Sequence, residues 1–100
     1  MASVVIAPIA DGQWHFETLW NTGIGVRITL VLTDIDEQSQ TDVVEWVANS
    51  PTQLSTVLQT LAQTISALPF WRARRLGDQL SISTAGDCIT SDIQIEIYED

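Results

Sequence analysis

One hundred residues with 45% apolar side chains suffice for a single globular domain, residues 1–100, with one core, and the composition excludes wholesale disorder. Thirteen carboxylates stand against four arginines and no lysine, a formal net charge of −9, which argues against general binding to nucleic acid or to an anionic membrane. No apolar run is long enough to span a bilayer, no basic segment precedes an apolar one as in a signal peptide, and the single cysteine, Cys88, excludes an intrachain disulfide.

The stretch SVVIAPIADGQWHFETLWNTGIGVRITLVLTD reads as a three-stranded meander. Asp11-Gly12 is a two-residue hairpin signal, and Asn21-Thr22-Gly23 suits a three-residue turn with glycine in the left-handed position. That register sets Ile9 opposite Trp14, Trp20 opposite Ile24, Thr18 opposite Val26 and Phe16 opposite Ile28, all on one apolar face. The other face carries His15, Glu17, Arg27 and Thr29, with Glu17 facing Arg27. Pro8 lacks an N–H, so the first strand belongs at an edge.

DIDEQSQT reads as an acidic loop. It opens like a calcium loop, but Gln38 and Ser39 stand where acidic ligands and glycine are required. For TDVVEWVA a strand, with Val44, Trp46 and Ala48 on one face, is preferred to a short helix capped by Ser39 and Asp42. SPTQLSTVLQTLAQTISALPF reads as a helix with Ser50 as N-cap, Pro51 in the first turn and Gln53 completing a capping box. Leu54, Val57, Leu58, Leu61, Ala62, Ile65 and Leu68 form one stripe, and Pro69 ends the helix.

The remainder reads as a second meander with turns at Gly77-Asp78 and Gly86-Asp87. Trp71 then faces Thr84, Ala73 faces Ile82 and Arg75 faces Leu80; Ile82 faces Ser91 and Leu80 faces Ile93. In the last strand Ile93, Ile95 and Ile97 point inward, and Asp92, Gln94, Glu96 and Tyr98 outward. The fold class is therefore α+β: an antiparallel sheet of about seven strands in two meanders, packed on one long helix. The expected core comprises Trp14, Phe16, Trp20, Val26, Ile28, Leu30, Leu54, Leu58, Leu61, Ile65, Trp71, Ile82, Ile93 and Ile95.

Three of the four arginines fall in WRARR. Alternation sends Arg72 and Arg74 outward, across from Ser81 and Ser83 with Asp92 and Glu96 beyond, and leaves Arg75 at the core rim. Arginine captures carboxylates bidentately, so Arg72 and Arg74 are candidate interface residues. Val4, Ile6 and Leu19 form a second candidate, an apolar patch on the outer face of the first hairpin that Val31 extends, and the first strand could pair with another chain. His15, the only histidine, reads as a surface residue far in sequence from Cys88. No phosphate loop, zinc spacing or nucleophile elbow is present, so no enzyme, cofactor or metal is expected.

GVRITLVLTDID, PTQLSTVLQTLAQTISAL and IQIEIYED together resemble small tailed-bacteriophage virion proteins of the tail-terminator and tail-completion class. The resemblance covers about half the chain, leaves the N-terminal hairpin unmatched and carries over no functional residue. It implies a non-catalytic subunit that assembles into rings capping or joining tail tubes, hence protein partners, a homo-oligomer, and a place in the virion or host cytoplasm. Two rival expectations are an acidic decoy whose Asp34, Asp36, Glu37, Asp42 and Glu45 mimic phosphates for a basic partner, and a small-ligand pocket between helix and sheet.

Overall fold

The structure, a computed structural model, describes residues 3–10, 12–16, 20–84 and 90–99. Seven strands and one helix follow in the order β1 (Ser3–Ile6), β2 (Gln13–His15), β3 (Ile24–Thr33), β4 (Ser39–Val47), α1 (Leu54–Ser66), β5 (Trp71–Leu76), β6 (Gln79–Thr84) and β7 (Thr90–Glu99). The α+β class holds, with all strands antiparallel, but the strands divide into two sheets. The larger has the order β1-β7-β3-β4 and the smaller β2-β6-β5. Among the described residues no helix is long and apolar enough to cross a membrane.

The first meander is not formed. β1 pairs with β7, setting Val4 against Ile97 and Ile6 against Ile95, while β2 pairs with β6, setting Trp14 against Leu80. Both turns nevertheless exist locally. Gln13 N–H donates to Ala10 O across the first, and Ile24 N–H donates to Asn21 O across the second, with Gly12 and Gly23 at φ +74° and +92°. They redirect the chain between sheets instead of zipping neighbours together. Trp20 faces Thr52, not Ile24, through a bridge in which Thr52 N–H donates to Trp20 O. Ile9 is exposed, not apposed to the core. Asp11, Glu17, Thr18 and Leu19 lie outside the described residues.

The alternation of Val43 to Val47 does form a strand, but it begins earlier, at Ser39, and takes in Gln40 and Thr41 from the stretch expected to be an acidic loop. The helix starts at Leu54 with Gln53 as N-cap and no side-chain cap, so the Ser50 capping box is not made. Thr52 is held extended by its bridge to Trp20, and an extended residue cannot belong to the first helical turn. The β5–β6 hairpin has the predicted register, Trp71 against Thr84, Ala73 against Ile82 and Arg75 against Leu80, with Gly77 at φ +64° in its turn. Ile82 does not face Ser91, nor Leu80 Ile93: β7 lies in the other sheet, where Ser91 faces Leu32 and Ile93 faces Leu30. The Gly86-Asp87 turn lies outside the described residues.

Both sheets and the helix contribute to one core. Val26, Ile28, Leu30, Leu32, Val44 and Ile95 come from the larger sheet, Trp14, Trp71, Leu80 and Ile82 from the smaller, and Val57, Leu58, Leu61, Ala62 and Ile65 from α1. Of the predicted core, Leu54 and Ile93 are only half-buried. The last turn of α1 also seals the edge of β5: Ser66 Oγ donates to Ala73 O and accepts from Ala73 N–H, at 2.9 and 3.1 Å.

Candidate functional site

Alternation places Trp71, Ala73 and Arg75 on the core side of β5 and Arg72 and Arg74 on its outer side, about 7 Å apart along the strand. Arg72 faces Ser83 and Arg74 faces Ser81, and β2 continues that outer face with Gln13 beside Ser81 and His15 beside Gln79. The next strand is therefore β2, not the β7 that carries Asp92 and Glu96. As a result, the described residues of this face hold no carboxylate. Arg72 and Arg74 are exposed and make no ion pair with any described residue. With Ala73, Ser81 and Ser83 they line a shallow groove of about 330 Å³. Arg75 lies at the rim, where its guanidinium donates to Gly77 O at 3.2 Å and its stem borders the groove between α1 and β5.

The fourth arginine is different. Arg27 Nε donates to Glu45 Oε1 at 2.6 Å, and its Nη1 to Glu96 Oε1 at 3.3 Å. Its guanidinium also lies 5.3 Å from the centre of the Tyr98 ring. The predicted partner was Glu17, on a β2 neighbour; β3 is flanked instead by β4 and β7, which supply Glu45 and Glu96. The hydrogen bond from Arg27 is the main cause holding the Glu45 carboxyl below its ordinary range. Gly25 leaves room for this cluster, since a Cβ there would stand 2.6 Å from the Tyr98 ring. Arg27 is thus a structural cation on the outer face of the larger sheet, and the arginines without an ion pair among the described residues all lie on β5.

The apolar patch does not assemble as expected. Because β1 adds to β7, Val4 and Ile6 point to the core side; Ile6 is half-buried against the core and Val4 is 64% exposed at the edge. Leu19 lies outside the described residues. Val31 faces Asp92 and Thr41 on the outer face, beyond the reach of β1. The exposed apolar residue on the outer side of β1 is Val5.

The five carboxylates considered as phosphate mimics are divided between surfaces. Asp34 Oδ1 accepts from Asp36 N–H and Gln38 N–H, both at 2.9 Å, so it braces its own loop, where Asp36 and Glu37 are exposed. Glu45 is engaged by Arg27 on the outer face. Asp42 faces Leu30 on the inner side. The helix face toward the sheets is filled by its own leucine stripe. A groove of about 450 Å³ lies elsewhere, between the sheets, bordered by Trp14, Ile82, Ser83, Ser91 and Asp92. Cys88 lies outside the described residues, and His15 stands on β2 across from Gln79. Three groups escaped the sequence reading because their isolation depends on packing: Trp20 Nε1, Trp71 Nε1 and Asp42 Oδ2 are shielded from solvent without a hydrogen-bond partner among the described residues. Comparison with protein-family models, curated proteins and solved structures returned no match.

Proposed function

We propose that this chain is a non-enzymatic assembly subunit that docks onto a carboxylate-bearing protein surface through Arg72 and Arg74. One observation carries the reading. In a chain of net charge −9, two arginines stand side by side on a sheet face without a compensating carboxylate among its described residues. No described carboxylate engages their charge, as Glu45 and Glu96 engage that of Arg27. Planar guanidinium groups on neighbouring same-face positions suit bidentate capture of carboxylates, which other copies of this acidic chain also present. Ser81 and Ser83 add short hydroxyl groups without blocking approach. The likeness of the β3, α1 and β7 sequences to tail-terminator and tail-completion proteins supports a phage tail or neck as the setting, with a ring of like subunits as the form.

The test is charge reversal at both positions. The R72E/R74E variant should fold with unchanged circular dichroism and melting, and its assembly or partner binding should weaken at least tenfold at low salt. Contacts of this kind also weaken as ionic strength rises. An unchanged native mass and unchanged partner binding in the variant would refute the reading.

A further inference from the structure

Among the described residues the two sheets expose four edges, and three are short or sealed. β1 and β2 are four and three residues long, and β5 is covered by Ser66. The fourth, β4, runs nine residues from Ser39 to Val47 in unbroken register with β3. It contains no proline, lysine or bulge; of the devices that keep an edge from pairing it has only charges, the inward-facing Asp42 and the outward Glu45 that Arg27 engages. Its free backbone groups can be assigned. Gln38 O accepts from Asp34 N–H and Ala48 N–H donates to Ile24 O, so even-numbered residues bond toward β3. The N–H and C=O groups of Thr41, Val43, Glu45 and Val47 therefore point outward.

The side chains on this strand add a second observation. Asp42 Oδ2 is buried without a donor among the described residues, and Asp42 faces inward at this edge. Trp46 faces inward on the same strand, half-buried, with its ring edge-on to Trp20 at 5.8 Å, and its indole carries an N–H that can donate. An acceptor without a partner among the described residues and an indole donor thus stand four residues apart along one edge.

We propose that β4 is a homotypic seam at which two copies of this chain pair antiparallel about a two-fold axis through Val44. In that register Val44 meets its counterpart, Val43 pairs with the second copy's Glu45, Thr41 with its Val47, and Asp42 with its Trp46. The outward backbone groups pair with one another throughout. Asp42 and Trp46 form a non-hydrogen-bonded pair, the closer of the two antiparallel spacings, so each indole N–H can reach the carboxylate of the other copy, twice by symmetry. The alternatives fit less well. Centring on Asp42 sets two half-buried carboxylates face to face, and centring on Glu45 does the same on the outer surface. Centring on Val43 leaves the Asp42 side chains diagonal to each other and opposite valine.

The seam is independent of the arginine face, and salt separates them. Two chains of charge −9 repel, so added salt should tighten the seam dimer, whereas it should weaken the arginine contacts. Sedimentation equilibrium of R72E/R74E, in which the arginine contacts and any larger assembly built on them are lost, should still give a two-chain mass. Val43→Pro removes an outward N–H while sparing every bond to β3, and Trp46→Phe removes the donor while keeping the ring; each should weaken dimerisation at least tenfold. Mixed labelled and unlabelled wild-type protein should show intermolecular Hα–Hα contacts for Val44–Val44 and Asp42–Trp46, a readout that needs no variant to fold. A one-chain mass at the highest soluble concentration, a dimer indifferent to both variants, or contacts in another register would overturn the proposal.

Discussion

Leu61→Ala is expected to lower the free energy of unfolding by about 2–5 kcal/mol. Leu61 sits in the middle of the apolar stripe of α1, 1% exposed, between Val57, Leu58 and Ile65 on its own helix. That stripe faces a core built by both sheets, so no single layer can move in to fill the void. Alanine retains full helix propensity, so the loss isolates side-chain transfer and the cavity left behind. Thr60→Ala is the companion measurement. It removes an exposed-side hydroxyl that donates to Thr56 O at 2.9 Å and should change stability by less than about 0.5 kcal/mol. Urea unfolding of both variants checks the pair; equal midpoints would contradict this account of the core.

Gly12→Ala should cost about 2–3 kcal/mol through the backbone alone. Gly12 has φ +74°, and a Cβ built on it would lie 2.8 Å from the carbonyl oxygen of Ile82. A left-handed alanine costs roughly 1–2 kcal/mol. The clash is with main chain, which cannot swing away as a side chain can. Relief would pull the segment off β6 and stretch the bond from Ile82 N–H to Gly12 O, now 2.9 Å, for roughly 1 kcal/mol more. Gly77→Ala is the control: Gly77 has φ +64° with nothing within 4 Å of its missing Cβ, so only the conformational cost applies. Thermal melts should rank wild type above Gly77→Ala and Gly77→Ala above Gly12→Ala; the reverse order of the two variants would refute the contact with Ile82.

What the sequence discloses here is local. The Gly77-Asp78 turn sets a hairpin register because one turn joins two adjacent strands, and every pair in β5–β6 follows from it. The stripe of α1 and the inward isoleucines of β7 follow from periodicity. Alternation fixes which face a residue occupies but not which strand lies beside it. Trp14 and Phe16 are buried as expected, yet Trp14 lies against Leu80 of β6, because an apolar face is satisfied equally by either neighbour. Arg27 shows the same limit in polar form: its outward direction is legible, but its glutamates come from strands 18 and 69 residues away. The candidate site divides likewise. That Arg72 and Arg74 share an outer face could be read from their spacing. That the next strand brings Gln13 and His15 instead of Asp92 and Glu96, and that β4 is an open edge, depends on strand order.

The pairing of β1 with β7 also bears on how the chain is made. The first and last strands of the element order are neighbours, and β7 lies between β1 and β3 in the larger sheet. During synthesis β3 and β4 can form their hairpin early, but the opposite flank of β3 stays open until β7 emerges. Until then β1 lacks its partner in the larger sheet, so completion of this sheet is governed by closure of the long loop between β1 and β7. Ribosome-stalled chains lacking residues 90–99 should therefore remain open to protease, and protection before β7 has emerged would contradict that order of events.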